Sequence, residues 1–510
     1  MVAISTAQST HFVGNYRSEP LASSETTQTS TVTPVILELM AAPTSTFVHL
    51  SPIIDDLMRA LGTDAVVTDP DILESFRHDA AALCESALPL AAVLPSTEAH
   101  VQAIMRIASA HRIPVVPQGA LTGLAGAANA GVGVIALNTR RMNAIVELDV
   151  VNRTAVVQPG VTNKELKDAA LQQGLTYLPD PSSWEASTIG GNIATNAGGL
   201  CCVKYGVTAR FVRGLRVVLA DGRATFVGRR TVKGVAGLSL AELFVGSEGT
   251  LGIITEATVG LEFPAATPLT MAATFPSTVA AGEAVSRIRA AGITPSLFEL
   301  LDRTTIAAID AYARMDFGTD AAAVLIAQSD IGAGAVEELE AIAALCTESG
   351  ATDVAVAEGE VESEQLVQAR RLAYPALERL GSPLVDDVSV PISQLAAMID
   401  EVGLVADRLG IVIGVVGHAG DGNIHPTVIV DPLDPASLVK AHRAFDEMAA
   451  FALSLGGTIT GEHGVGLLKR DLLETELDPV AAELQRGIKE LLDPHYLLNP
   501  GKVLTARPRA

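Results

Sequence analysis

Three stretches in which glycine recurs every few residues constrain this chain more than anything else in it: residues 119–133, 190–199 and 246–252. Glycine lets backbone N–H groups approach a ligand closely and adopt positive φ. A loop of such donors makes an anion-binding concavity suited to a pyrophosphate. The first stretch, Pro117-Gln118-Gly119-Ala120-Leu121-Thr122-Gly123-Leu124, follows a short apolar run, Val115-Val116, that reads as a buried strand. Its spacing is not the Rossmann fingerprint, and no Lys-Ser/Thr pair closes it as a Walker A loop. Taken alone it reads more simply as a tight turn. The second stretch is longer. Pro179-Asp180-Pro181-Ser182 leads to Thr188-Ile189-Gly190-Gly191-Asn192-Ile193-Ala194-Thr195-Asn196-Ala197-Gly198-Gly199, where the loss of side chains exposes backbone for contact with something flat or large. Thr188, Asn192, Thr195 and Asn196 add hydrogen-bonding groups. The third is Gly246-Ser247-Glu248-Gly249-Thr250-Leu251-Gly252-Ile253. No simple structural need explains all three.

The elements around these loops predict an α+β chain. Val101, Ile104, Met105 and Ala108 make one apolar stripe of a helix that Ser96 or Thr97 can cap. Ile145–Leu148 and Thr154–Gln158 read as two strands about an Asn152-Arg153 turn. Thr162-Asn163-Lys164-Glu165 is a capping box, and Gly174 ends the helix it opens. Leu175–Leu178, Leu215–Leu219, the residues around Phe244, and Ile253–Leu261 read as strands. Past Pro264-Ala265 the pattern changes to apolar strands, such as Ala323–Ala327, alternating with Ala-rich helices, such as Ala335–Cys346. The 510 residues are therefore expected to divide at about 50–264, 265–455 and 456–505. Residues 1–45 are rich in Ser and Thr with one basic residue, Arg17. They fit neither a secretory signal nor an Arg-rich transit peptide and are expected to be a disordered tail. No apolar run long enough to span a membrane occurs.

A formal charge of −23, 4% aromatic residues and a single tryptophan, Trp184, argue against a phosphate-backbone or base-stacking partner. The four cysteines, Cys84, Cys201, Cys202 and Cys346, have no framework spacing and point to a reduced, cytoplasmic setting. The adjacent Cys201 and Cys202 read as small buried residues beside a glycine-rich loop.

Chemistry concentrates in the second half. Val416-Gly417-His418-Ala419-Gly420-Asp421-Gly422-Asn423-Ile424-His425 lies between apolar runs and predicts a hairpin whose turn brings His418 and His425 across its mouth. Alone, this reads as a turn with two satisfied histidines. Gly461-Glu462-His463-Gly464 shifts the balance, because an acid–histidine pair between glycines is an unusual core. Two His and one carboxylate with open positions is a common catalytic metal site, suited to Zn, Mn or Fe.

These motifs, in this order, resemble the vanillyl-alcohol oxidase / p-cresol methylhydroxylase flavoprotein superfamily. The matching branch contains D-lactate dehydrogenase, the glycolate oxidase D subunit and D-2-hydroxyglutarate dehydrogenase, and the resemblance covers about residues 50–505. It implies a PCMH-type FAD-binding domain of two α+β subdomains, followed by an α+β substrate or cap domain with an antiparallel sheet. It implies that Pro117, Gly119, Ala120, Leu121, Thr122, Gly123 and Leu124 bind the FAD pyrophosphate. Pro179, Asp180, Ser182, Thr188, Ile189, Gly190, Gly191, Asn192, Thr195, Asn196, Gly198 and Gly199 would line the flavin, with Glu248, Gly249, Ile253 and Asn499 also on the cofactor. No histidine stands in the 117–126 loop, so FAD is expected to be non-covalent. Gln118 stands where arginine is frequent, and Leu121 where glycine is frequent.

The same resemblance makes His418, His425 and Glu462 ligands of one divalent metal, His463 the general base and Arg370 the cation for the substrate carboxylate. Arg371 is a neighbouring candidate for that last role, and a plain helix-surface charge is the other reading of Arg370. The implied reaction is oxidation of a D-2-hydroxy acid such as D-lactate. Leu384-Val385 replaces the region where hydroxyglutarate enzymes carry a lysine, which favours a monocarboxylate. Glycolate or D-2-hydroxyglutarate are the alternatives within the class. A flavin-free metallohydrolase and a non-catalytic flavin scaffold are the alternatives outside it. The implied partners are an electron acceptor (quinone, cytochrome or electron-transfer flavoprotein) and no nucleic acid. A homodimer and a membrane-peripheral position are compatible with it.

Overall fold

The computed structural model describes residues 51–505 apart from 82–83 and 316–319. The Ser/Thr-rich tail lies outside the described residues.

Three sheets follow one another along the chain. The first contains β1 (Val66–Val67), β2 (Ala91–Val93), β3 (Val115–Gln118) and β4 (Ile135–Asn138) in the order β1-β2-β4-β3. β2, β4 and β3 run parallel. The helix Glu98–His111 buries Val101, Ile104, Met105 and Ala108, the expected stripe, and Thr97 Oγ1 caps it by accepting from His100 N at 3.2 Å. The second sheet contains β5 (Ile145–Asp149), β6 (Thr154–Val157), β7 (Val212–Val218), β8 (Ala224–Gly228) and β9 (Ile253–Gly260), in the order β5-β6-β9-β7-β8 and antiparallel throughout. The capping box opens the helix Asn163–Leu171 in full, and Gly174 takes φ +72° beyond its end.

Two expectations fail here. Leu175–Leu178 is not a strand. Thr176 alone makes a bridge, exchanging backbone hydrogen bonds with Glu262, while Leu175 N donates back to Ala170 O at the helix end and Pro179 stops the run; Leu175 and Tyr177 fill the core. The residues up to Phe244 form one helical turn, Ala241–Phe244, because Ala, Glu and Leu favour helix and the ring is buried by the turn into Gly246.

The third sheet contains β10 (Leu269–Phe275), β11 (Leu297–Asp302), β12 (Ala323–Ser329), β13 (Asp353–Val356), β14 (Ser382–Val385), β15 (Val388–Ser389), β16 (Val412–His418) and β17 (Asn423–Val430). The order is β13-β10-β12-β11-β16-β17-β14, with β15 also on β17, and every pairing is antiparallel. The five central strands, β10, β12, β11, β16 and β17, are buried on both faces, whereas the edge strand β13 is half exposed. Phe298 and Leu300 join the core beneath the helices Thr278–Ala290 and Leu395–Leu409. Leu297 and Leu301 join the core beneath Arg303–Ala313 and Glu360–Glu378. The chain end returns to the first sheet, where Leu498 bridges Val115 in parallel. No helix among the described residues is long and apolar enough to cross a membrane.

Candidate active site

All three glycine stretches wall one cleft of about 1280 Å³, part of it open to solvent. Its lining includes Pro117 from the end of β3 and Gly119, Ala120, Leu121, Thr122, Gly123 and Leu124 from the loop after it. Ser182, Thr188, Gly190, Gly191, Asn192, Thr195 and Gly198 line it from the second stretch; Glu248, Gly249 and Ile253 line it from the third. Glu462 and His463 stand at the same cleft. The remaining residues expected at the cofactor stand behind this wall. Pro179 O accepts from Asn163 Nδ2 at 3.1 Å, and Asp180 Oδ1 accepts from Cys201 N at 3.3 Å. Ile189 is core, and Asn196 Oδ1 accepts from Ala209 N at 2.8 Å. Gly199 packs on the Asp180 backbone so tightly that a Cβ would strike its carbonyl. Asn499 Nδ2 donates to Ala127 O and Glu248 O at 2.9 and 2.7 Å, pinning the first and third stretches to each other.

The cleft fits a dinucleotide cofactor on physical grounds. Among the described residues, no backbone N–H from Ala120 to Leu124 donates to a protein acceptor. The Asn192 amide nitrogen is buried without a partner. Leu121 holds φ +63° and Glu248 φ +49°, left-handed conformations that non-glycine residues enter at a cost and that cluster where a ligand is clamped. Glu248 accepts from Val465 N and Gly466 N at 2.8 and 2.9 Å, and burial pushes its carboxyl up to about 7. A carboxyl that is readily neutral sits more easily beside a pyrophosphate than a fixed anion.

The predicted hairpin forms, and its register pairs His418 with Asn423 and His425 with Val416, so both imidazoles leave the same face. His418 Nε2 and His425 Nε2 are 3.2 Å apart, and Glu462 Oε1 lies 3.5 and 3.2 Å from them. Ligands about 2.1 Å from a tetrahedral ion stand roughly 3.4 Å from one another, so this donor set fits a divalent metal. His463 stacks on His425 with ring centroids 4.9 Å apart, and its Nε2 is 4.0 Å from Glu462 Oε1. Burial holds the His463 imidazole below the usual histidine value, against the pull of the Asp387 anion. Burial alone would raise Glu462, but hydrogen bonds and charge from His418 and His425 hold it well below the carboxylate range.

Two carboxylates that sequence reasoning missed as site groups support this cluster. Glu299, fully buried on β11, has Oε1 2.6 Å from His418 Nδ1 and Oε2 2.5 Å from Arg370 Nε. Its signal was a lone acid at an inward position of an apolar strand. Asp387 Oδ2 accepts from Thr460 Oγ1 and from the amides of Gly461, Glu462 and His463 at 2.6, 2.9, 3.0 and 2.9 Å. Burial opposes its charge, yet His463, Lys469 and His425 together hold its carboxyl below the usual range. Arg371 pairs instead with the exposed Glu364. Cys201 and Cys202 are unpaired, and burial pushes both thiols up, which suits packing residues.

Comparison with known proteins agrees with this architecture. Residues 89–228 match the FAD binding domain family, and residues 266–503 match the C-terminal domain of FAD linked oxidases. Glycolate oxidase subunit GlcD of Bacillus subtilis is 42% identical over 85% of this chain and 93% of its own length. D-lactate dehydrogenase of Anaerostipes hadrus is 32% identical over 89% of this chain and 98% of its own. The structure of p-cresol methylhydroxylase with substrate bound superposes with a TM-score of 0.73 at 19% identity, covering 91% of this chain and 98% of that one, a likeness of fold. The chain belongs to this family of FAD-linked oxidoreductases, with a PCMH-type FAD-binding fold and FAD as its cofactor.

Proposed function

We propose that this enzyme oxidises a D-2-hydroxy acid to the 2-oxo acid, with D-lactate as the first reading of the substrate. The observation that carries the proposal is that His418, His425 and Glu462 cluster within ligand distance of one another, while Glu462 and His463 of the same group line the cleft walled by the three glycine stretches. His418, His425 and Glu462 would hold one divalent ion, Zn, Mn or Fe, and the 119–124 loop the FAD pyrophosphate, without a covalent bond. When bound, FAD supplies the hydride acceptor and the ion supplies positive charge that makes the substrate hydroxyl more acidic. His463 Nε2 takes the hydroxyl proton. The guanidinium of Arg370 holds the substrate carboxylate. Residues 50–264 hold the cofactor, 265–455 present the hairpin ligands and Arg370, and 456–505 bring in Glu462 and His463 and close on the first sheet. Leu384 and Val385, in place of a cation for a second carboxylate, support a monocarboxylate over D-2-hydroxyglutarate. An electron acceptor (quinone, cytochrome or electron-transfer flavoprotein) and a cytoplasmic location belong to the same reading.

Glycolate is the second reading, favoured by the 42% identity to a glycolate oxidase subunit. Anaerobic flavin reduction with D-lactate, glycolate and D-2-hydroxyglutarate, with and without chelator, tests both. The expected result is fastest bleaching by D-lactate, loss on chelation, and recovery with added Mn²⁺ or Zn²⁺. Bleaching by no hydroxy acid, or bleaching indifferent to the chelator, would reject the proposal.

A further inference from the structure

We infer that Glu299 is a positioning residue that sets two groups at once, the metal-facing edge of His418 and the carboxylate-facing edge of Arg370. The inference rests on the reading above for those two residues and adds the link between them.

β11 is a central strand, and Glu299 is wholly buried between Leu297 and Leu301 on the face toward the helix Glu360–Glu378. A charge there persists only when fully paired. Both oxygens are used. The register makes Glu299 and His418 direct cross-strand partners, which places Oε1 against His418 Nδ1. Oε2 takes the Nε–H of Arg370, which reaches in from mid-helix.

Each contact has a consequence at the far side of the group it holds. Nδ1 is committed to Glu299, so Nε2 is the nitrogen that His418 turns toward His425 Nε2 and Glu462 Oε1, and the one that would hold an ion. With Nε committed, the two terminal nitrogens of Arg370 donate to no protein acceptor among the described residues, which leaves them for a ligand carboxylate. One buried anion therefore couples affinity for the ion to affinity for the acid.

The test uses FAD-loaded, chelator-treated enzyme titrated with Mn²⁺ alone, together with the KM for D-lactate. In Glu299→Gln, the amide cannot accept from both donors with full charge. Mn²⁺ affinity should fall about 10- to 100-fold, the usual consequence of losing a group behind a metal ligand. The KM should rise as well, while FAD content stays that of the wild type. Placing Glu299→Gln on an Arg370→Ala background should leave the KM of the single Arg370→Ala variant nearly unmoved yet still weaken Mn²⁺ binding. A merely structural role would instead add its effect in both backgrounds and lower FAD content. Glu299→Asp, which keeps the charge but reaches only one partner, should fall between wild type and Glu299→Gln, and it serves if the amide variant does not fold. Wild-type Mn²⁺ affinity and KM in the folded variants would overturn the inference. If the wild type itself takes up no Mn²⁺, the metal reading fails, and the KM cycle with Arg370 alone decides the part of Glu299.

Discussion

Asp387→Asn isolates what holds the Glu462-His463 loop in place. The aspartate is wholly buried, and one of its oxygens collects four donors from Thr460, Gly461, Glu462 and His463, while the other accepts from Asn423 Nδ2 at 2.6 Å. Asparagine keeps the shape and loses the charge. A hydrogen bond to an ionised acceptor contributes about 1.5–3 kcal/mol and a neutral one about 1, so four weakened bonds cost roughly 4 kcal/mol. The new NH₂ must also face another amide NH₂ on Asn423 or the backbone donors themselves, which adds to the loss. Part of this appears as lower global stability. The rest appears where the loop carries its ligand, as metal affinity lower by about 10- to 100-fold, or about 1.4–2.8 kcal/mol. Isothermal titration of FAD-loaded protein with Mn²⁺, beside a thermal melt, reads both. FAD content should hold, because most of the cofactor wall comes from loops that Asp387 does not touch. Unchanged metal affinity together with an unchanged melting temperature would show that the four short contacts do not organise the loop, and the reasoning would be wrong.

Gly198→Ala puts a Cβ 3.0 Å from that of Glu462 and against its carboxylate; metal binding and turnover should drop sharply while the flavin spectrum persists, and normal metal content would contradict it. Glu248 has a folded value of about 7 against an ordinary 4.5, so its contribution to stability is complete below about pH 4.5 and is lost as pH rises through 7. The difference is about 3 kcal/mol, and melts of Glu248→Gln across that window should depend on pH less than those of the wild type. Asn499→Ala leaves the carbonyls of Ala127 and Glu248 without their donor, at about 1–3 kcal/mol each; FAD should be retained less well on gel filtration, and undiminished retention would show that Asn499 does not support the cleft wall from behind.

The parts of the molecule legible in its sequence are those written in neighbouring residues. The capping box at Thr162, the hairpin that joins β16 to β17 and the glycine runs each declare themselves within a dozen positions, because their chemistry is local. The two short segments misread as strands are local as well, but there the backbone conformation was decided by a proline and by burial of one ring. Glu299 and Asp387 are of another kind. Glu299 meets Arg370 and His418 across separations of 71 and 119 residues, and Asp387 meets His463 across 76. No periodicity links such positions: strand register sets Glu299 beside His418, but the helix Glu360–Glu378 brings Arg370 and the 460–464 loop brings His463.

Leu121 shows how the two kinds of information meet. Its departure from glycine was visible in the sequence, but what that departure demands, φ +63° at the wall of the cleft, is visible only in the fold. A left-handed leucine costs roughly 1–2 kcal/mol, and the contacts that pin the loop, Ala80 N donating to Gly123 O at 2.9 Å, Asn138 Nδ2 to Gly119 O at 3.0 Å and Arg140 to Ala120 O at 3.1 Å, offset it. The strain is therefore informative: the chain keeps a bulky side chain where its backbone would favour none, at the point where residues 120–124, whose amides donate to no protein acceptor among the described residues, line the cleft.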